Sequence, residues 1–325
     1  LRWLQKTNNK PIILLGGGTT KIGDPSGKDS TRKILSNIEI KDNTKGIKKV
    51  IEKYITFNNT SQGAILVNNA DWLDELNYIS FLRDYGRYFS VNRMLTFDSV
   101  KTRLDREQNL SFLEFNYMVT QAYDYFHLFK NFNCNVQFGG SDQWGNIVNG
   151  IDLIKKSTTD SKRNVHAITS PLITTANGKK MGKTNNGAVW LSEDYLSVFD
   201  YWQYWRNTLD EDVIKFLKIF TEIELDEISK LEKLKGEEIN DAKILLANSI
   251  TTLTHGKSKC ELVLKSINNV MNNEIGNNSL PSVNLNLSEV KNGIQAYKVF
   301  CLDSILCKSN SDARRLINQG AAKIN

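Results

Sequence analysis

Four stretches of this chain carry residue types that can do chemistry, three of them glycine-rich. The first is Gly16-Gly17-Gly18-Thr19-Thr20-Lys21-Ile22-Gly23-Asp24-Pro25-Ser26-Gly27-Lys28. A glycine-rich loop after an apolar strand lets a phosphate or other ligand approach the backbone. A phosphate-binding P-loop is excluded by position. It needs glycine where Ile22 stands, and Ser or Thr where Asp29 follows Lys28. The glycines alone also suit an ordinary strand-to-loop turn. Asp24 is the residue to single out, because a carboxylate there could hold an ammonium group.

The second stretch is helical. Tyr117, Gln121 and Asp124 are spaced by four and three, so they share one helix face. Phe112, Phe115, Met118, Tyr125 and Phe126 surround them with apolar and aromatic groups. A phenol, an amide and a carboxylate in that company form a strip able to read a small polar ligand. A solvated helix face is the plainer alternative. The third stretch is Val136-Gln137-Phe138-Gly139-Gly140-Ser141-Asp142-Gln143-Trp144-Gly145-Asn146. A strand ends, two glycines clear room, and a helix starts, which is where doubly wound sheets bind ligands. Asp142 could accept from ribose hydroxyls, and Gln137 and Gln143 could contact an amino acid or its adenylate. The fourth is Lys179-Lys180-Met181-Gly182-Lys183-Thr184 in a Gly/Asn-rich loop. Two lysines so placed suit a developing pyrophosphate charge, although a lysine-rich loop can also be merely solvated.

The elements that must position these groups alternate in type. Pro11–Leu15 and Ala64–Val67 read as buried strands, and Asn133–Phe138 as a third. Helical spacing runs through Lys45–Phe57, Ser111–Lys130 and Asp142–Lys156, with a Ser111/Glu114 capping box opening the second of these. This alternation predicts an α/β domain around a mainly parallel sheet. From Ser192 to Val270 only helical spacing remains, through Asp212–Phe220, Leu225–Leu234 and Asp241–Leu253, so an all-α domain is expected. Residues 268–292, rich in Asn and holding Pro281, read as a linker. Ser309–Asn318 reads as a helix carrying Arg314 and Arg315, with Gly320 as its C-cap and a strand beginning after it.

Composition narrows the class. The chain has 325 residues, 40% hydrophobic and 24% charged, which suits a globular protein of two or three domains. No apolar run approaches the roughly 18–20 residues that span a bilayer. The formal charge of +6 hints at a polyanionic partner. Cys134, Cys260, Cys301 and Cys307 show no CxxC spacing, and His127, His166 and His255 are far apart. A disulfide framework or a metal site is therefore not expected, and a reducing, cytoplasmic location is.

Taken together and in this order, Gly23-Asp-Pro-Ser-Gly-Lys28, Gln121-Ala-Tyr-Asp124, Gly139-Gly-Ser-Asp-Gln-Trp-Gly-Asn146 and Lys180-Met-Gly-Lys-Thr184 closely resemble the bacterial- or organelle-type tyrosyl-tRNA synthetases, which are class I enzymes. The likeness spans essentially the whole chain. Lys180–Thr184 resembles the KMSKS signature in its KFGKT variant. Ser311-Asp-Ala-Arg-Arg-Leu-Ile317 resembles the start of an S4-type RNA-binding domain.

The resemblance implies a Rossmann-like catalytic domain over residues 1–191, with a dimer-forming insertion near 68–132. An α-helical anticodon-region domain would cover 192–270, a linker 271–296 and a partial S4-like domain 297–325. It implies ATP as a substrate, Mg²⁺ in attendance, L-tyrosine and tRNA(Tyr) as partners, and a homodimer. Trp72, Phe81, Leu82 and Phe89 are candidates for the subunit contact, with ordinary core packing as the alternative.

By the same resemblance Asp124 would accept from the substrate phenol. Asp24, Tyr117 and Gln121 would hold its ammonium group, Gln143 would lie near its carboxylate, and Gln137 would belong to the same tyrosine-binding set. Gly140 and Asp142 would engage the adenylate ribose. Lys180, Lys183 and Thr184 would stabilise pyrophosphate, with Lys183 also contacting ATP, and Arg314 and Arg315 would meet RNA. The HIGH signature of class I enzymes has no equivalent here. The start at Leu1 reads as internal, so an N-terminal truncation and little activation by these 325 residues alone are expected. A tryptophanyl-type enzyme is the nearest rival. A non-catalytic RNA-binding protein on a synthetase scaffold, and a small-molecule kinase, are more distant ones.

Overall fold

Parallel strand pairing brings the loops of interest together. A computed structural model of the chain describes residues 1–24, 34–158, 164–178, 180–184, 187–271, 285, 287–291, 293–301, 307 and 309–319. Most of the expected linker, Gly320 with the strand after it, Lys179 and the Pro25–Lys28 stretch fall outside these residues, as do the side chains of Lys183 and Thr184.

After the short helix α1 (Arg2–Lys6), β1 (Ile12–Leu15) runs parallel to β2 (Ile65–Asn68), in register from Ile12 opposite Ile65 to Leu15 opposite Asn68. Between them lies α2 (Asn37–Ile51), the crossover that a parallel pair requires. This helix begins eight residues before the apolar spacing at Lys45 shows itself. Its start is set by a Ser36/Glu39 capping box, which satisfies the first backbone N–H groups before any apolar face forms. A second parallel pair joins β3 (Val136–Gly140) to β4 (His166–Ser170).

Between β2 and β3 come α3 (Ala70–Leu73), α4 (Tyr78–Asp84), α5 (Val91–Met94), α6 (Asp98–Asp105), α7 (Phe112–Phe115) and α8 (Tyr117–Phe132). The expected single helix from Ser111 is thus two helices. Asn116 separates them, its side chain donating to the Phe112 carbonyl at 2.7 Å. An amide that bonds its own backbone competes with helix continuation. After β3, a 3-10 turn over Ser141–Gln143 leads into α9 (Trp144–Ser157).

The core of this α/β part forms where α8 lies on α9. Ala122, Tyr125, Phe126, Leu128 and Phe129 from α8 meet Leu153 and Ile154 from α9, and Trp72 joins them from α3. Each Leu, Ile or Phe among them stabilises the fold by roughly 1.5–3 kcal/mol when fully buried. The Tyr125 hydroxyl donates to the His166 carbonyl at 2.8 Å and pins α8 to the start of β4.

The small strands β5 (Lys183–Thr184) and β6 (Gly187–Ala188) follow, paired antiparallel. Then come α10 (Val198–Arg206), α11 (Asp210–Phe220), α12 (Leu225–Leu231) and α13 (Ile239–His255). Tyr201, Trp202, Trp205, Val213, Phe216, Leu217, Leu246 and Ile250 are buried there. Thr254 on α13 receives the Tyr54 hydroxyl at 2.9 Å and lies 3.1 Å from the Tyr201 hydroxyl, which ties these helices to the end of α2.

The chain divides into two compact units, Leu1–Lys257 and Ser258–Asn325. The second holds most of α14 (Lys257–Met271), with α15 (Leu287–Lys291), α16 (Ala296–Phe300) and α17 (Asn310–Asn318). α14 and α15 bring helix into both ends of the stretch read as a linker. Ser309 caps α17 by accepting from the Asp312 N–H at 3.2 Å. Among the described residues no helix is long and apolar enough to cross a membrane.

Of the four candidate subunit-contact residues, Trp72 is core, stacked on His127 at 4.2 Å. Phe81 and Phe89 are half-buried against the same core. Of the four only Leu82 is exposed; Tyr78, Ile79, Val91 and Phe112 in the same stretch of chain are exposed too. Aromatic bulk marked this segment but not the direction each ring takes.

Candidate active site

Because β1 and β2 are parallel and in register, the residues just after each strand must meet. Leu15 accepts from the Asn69 N–H at 3.0 Å. Asn68 Oδ1 takes the Gly17 N–H at 3.1 Å, and Asn69 Oδ1 takes the Gly18 N–H at 2.8 Å. The glycine loop is therefore held open by two asparagine side chains. Asn69 Nδ2 goes further, donating to Thr19 Oγ1 at 3.0 Å and to Asp124 Oδ2 at 2.8 Å. Trp72, one helical turn on, donates its indole N–H to Asp124 Oδ1 at 2.8 Å.

Asp124 is 1% exposed on α8. Both oxygens accept from neutral donors, and among the described residues none of its hydrogen-bond partners is a cation. Burial pushes its carboxyl up to about 7, against the opposing pull of Asn69 and Trp72. The result is an acceptor aimed at the floor of the glycine loop and poised near neutrality. Burial holds the stacked His127 below its ordinary value, so at neutral pH an uncharged ring lies against Trp72.

A second set forms at the end of the same loop. Gln143 Nε2 donates to Asp24 Oδ2 at 2.9 Å, and Gln143 Oε1 receives Asn146 Nδ2 at 3.1 Å. Asp24 lies five residues after Thr19, so one short backbone segment connects the two sets. Tyr117 and Gln121 are half-buried, two turns and one turn before Asp124 on α8. The Gln137 Oε1 is buried with no hydrogen-bond partner among the described residues, a group that a polar ligand would satisfy. Asp142 folds back over Gly140. A Cβ on Gly140 would sit 2.5 Å from Asp142 Oδ1, so only glycine leaves that carboxylate its place.

The lysine stretch is a hairpin, with Thr174 bridged to Lys180, Lys183 opposite Ala188, and Thr184 opposite Gly187. Lys180 is exposed. Arg314 and Arg315 lie in the second unit. Arg314 stacks over the Tyr297 ring at 4.1 Å and Arg315 pairs with Asp312 at 2.6 Å.

The structure thus joins Asp24 to Gln143 and carries Tyr117, Gln121 and Asp124 on one helix. Sequence reasoning missed Asn69 and Trp72. From sequence, Asn68-Asn69 reads as a strand terminator, and Trp72 as either a subunit contact or ordinary core. The available signal was the strand pairing itself, with Asn69 and Trp72 three apart on one helical face.

Such a constellation has a family. The profile described as tRNA synthetases class I (W and Y) matches residues 1–272. The chain belongs to that family. It is 51% identical to a tyrosine–tRNA ligase of Roseobacter denitrificans over 325 residues, covering all of this chain and 77% of that protein. It is 53% identical to a tyrosine–tRNA ligase of Wolbachia sp. subsp. Brugia malayi over 326 residues, covering 100% and 77%. Among solved structures, a C-terminally truncated mitochondrial tyrosyl-tRNA synthetase of Aspergillus nidulans superposes with a TM-score of 0.71 at 30% identity, covering 83% of this chain and 79% of that one. A tryptophanyl-tRNA synthetase of Campylobacter jejuni matches at 12% identity and a TM-score of 0.50, a likeness of fold alone. The similarity favours the tyrosyl members over the tryptophanyl ones.

Proposed function

We propose that this chain activates L-tyrosine with ATP and passes it to tRNA(Tyr). The observation that carries the reading is the buried Asp124 carboxylate, fixed on both oxygens by Asn69 and Trp72. An acceptor without a paired cation suits a neutral hydroxyl donor such as a phenol. An analogue lacking the hydroxyl would leave that acceptor unpaired, which is costly in a buried site.

In this reading Asp24 shares its carboxylate between Gln143 and the substrate ammonium group, with Tyr117 and Gln121 beside it. Gln137 and Gln143 lie toward the substrate carboxylate. Asp142 and the Gly140 backbone take the ribose. The tyrosine carboxylate oxygen attacks the α-phosphorus, a P–O bond forms, and the bond to pyrophosphate breaks. Lys180, Lys183 and Thr184 would receive the charge on the leaving group. A ribose hydroxyl of the tRNA then displaces AMP from the mixed anhydride. Positioning supplies most of the rate in such a scheme, since no enzyme side chain becomes bonded to substrate.

Mg²⁺ would arrive on the nucleotide. There it would be held by phosphate oxygens and water, as Mg²⁺ in nucleotide sites commonly is. Residues 1–191 would act as the catalytic domain, 192–270 as the anticodon-region domain, 271–296 as the linker and 297–325 as part of an S4-like domain using Arg314 and Arg315. A homodimer would draw on exposed apolar residues of the 68–132 insertion, such as Tyr78, Ile79, Leu82, Val91 and Phe112. Four free cysteines fit a cytoplasmic setting.

Tyrosine-dependent ATP–pyrophosphate exchange by the full-length protein, compared with phenylalanine and tryptophan, tests the reading. Tyrosine should be used in strong preference. Equal use of tryptophan or phenylalanine would refute it.

A further inference from the structure

Asp212 is 1% exposed, yet it lies at the start of a surface helix in the all-α part and outside the pocket described above. Taking a carboxylate out of water is costly unless it is paired and hydrogen-bonded. Its partners explain the burial. Asp212 Oδ2 accepts the Ala176 backbone N–H at 2.7 Å. Lys215, one turn on, donates to Asp212 Oδ1 and also to the Thr174 carbonyl at 2.7 Å. Thr174 lies on the first arm of the lysine hairpin and Ala176 in the turn that follows it. The second arm pairs directly against the first, Thr174 with Lys180, and Met181 N–H with the Ile173 carbonyl at 2.9 Å.

The far end of the hairpin is held from the neighbouring helix. Tyr204 on α10 is half-buried with its hydroxyl beside the Gly182 backbone. Burial raises this phenol, the hydrogen bond with the Gly182 backbone opposes the rise, and the Asp212 charge adds to it. Gly182 has φ +88°, a conformation that a side chain resists, and it immediately precedes Lys183. Its carbonyl accepts the Val189 N–H at 3.0 Å. Both arms of the hairpin are therefore anchored to helices that carry none of the proposed substrate contacts.

We propose that Asp212, bridged by Lys215 and seconded by Tyr204, is a positioning residue that sets where Lys180 and Lys183 stand relative to the pyrophosphate of the activation step. Asp212 touches no substrate. It acts on the backbone from which the two lysines project. The proposal rests on the reading of Lys180 and Lys183 as pyrophosphate ligands. A displacement of such groups by about 1 Å is enough to lose on the order of 100-fold in rate.

The experiment uses the full-length protein with Asp212→Asn, Lys215→Met and Tyr204→Phe. Amide hydrogen exchange is followed over 173–182 and over α8, together with exchange kinetics. Asp212→Asn should speed amide exchange at Ala176 and Gly182 at least several-fold and leave α8 unchanged. It should lower kcat for pyrophosphate exchange by about 10- to 100-fold and raise the KM for pyrophosphate, with the KM for tyrosine within twofold. Lys215→Met should behave alike, and Asp212→Glu should recover part of the loss. Tyr204→Phe, which keeps the ring and removes only the hydroxyl, should move the same readouts in the same direction by less.

Unchanged amide exchange over 173–182 in Asp212→Asn would overturn the proposal. So would an equal loss of tyrosine affinity, which would mark general damage. If Asp212→Asn does not fold, unaltered kinetics and amide exchange in both Lys215→Met and Tyr204→Phe overturn it. A wild-type protein indifferent to tyrosine would sink the proposed function instead, and the amide-exchange result would stand apart from that.

Discussion

Two carboxylates in this molecule are nearly as buried as each other and are used in opposite ways. Asp124 is 1% exposed and Glu114, ten residues earlier, is 2% exposed. Glu114 closes the capping box with Ser111 and pairs with Arg103 at 3.0 Å, a guanidinium that also donates to the Asn109 carbonyl. Burial opposes its ionisation, yet Arg103 and the Ser111 amide and hydroxyl together hold it below the usual carboxylate range. Its charge is spent on joining α6 to α7. Asp124 has only the Asn69 amide and the Trp72 indole, and burial wins, raising it to about 7. The difference lies in the partners rather than in depth. A buried acid neutralised by a cation is a structural tie, whereas one held by neutral donors keeps accepting capacity for a ligand.

The comparison breaks most visibly at the tie. Arg103→Met should cost roughly 3–5 kcal/mol in denaturant unfolding, because it strands a buried carboxylate. Adding Glu114→Leu should return much of that loss, and tyrosine kinetics of the folded protein should barely change. A double variant no more stable than the single one would show that Glu114 acts mainly as a helix cap. At the other acid the balance reverses. Asp124→Ala should lower kcat/KM for tyrosine by roughly 100-fold, the scale of a lost hydrogen bond to a charged group. The KM for ATP should stay within about twofold by the same reasoning. A matching loss of ATP affinity would refute the assignment. Trp72→Phe removes one donor and keeps the ring, so a loss of about 10-fold, all of it in tyrosine use, is expected. If Trp72→Phe is silent, Asn69 alone orients the carboxylate.

The contrast between the two acids was only half visible in the sequence. The Ser111/Glu114 box was legible because capping depends on residues three apart. The α/β alternation and the face shared by Tyr117, Gln121 and Asp124 were legible for the same local reason. The partners of Asp124 were not, because Asn69 and Trp72 reach it from 55 and 52 residues away. Only the in-register pairing of β1 with β2 delivers Asn69 to the glycine loop. Arg103 was equally hidden, since nothing in its neighbourhood marks it as buried. The start of α2 was misplaced because a cap can open a helix well before its apolar stripe. Trp72 stayed open between subunit contact and core, because aromatic bulk alone carries no direction; the structure settles it as core.

The smallest expected effects are on pH dependence, and there the two acids should give slopes of opposite sign. Glu114 is depressed in the folded protein. Its contribution is complete above its unfolded value, near 4.3 for a glutamate, and is lost as pH falls through the lower folded value. Asp124 is raised from an ordinary value of about 4 to about 7 in the folded chain. Between those two values the folded state keeps a proton that the unfolded state has released, so stability falls as pH rises and then levels off. Denaturant unfolding at steps from pH 3 to pH 8, both ends taken as about a unit beyond these values, resolves the two slopes. Asp124→Asn should flatten the fall on the alkaline side and leave the acid side intact, whereas Glu114→Gln should do the reverse. Tyrosine affinity should strengthen as pH rises through about 7, because the ionised Asp124 is the better acceptor for a phenol. An affinity that weakens over that range would mean that the protonated carboxyl donates to the ligand, and the phenol assignment would have to be given up.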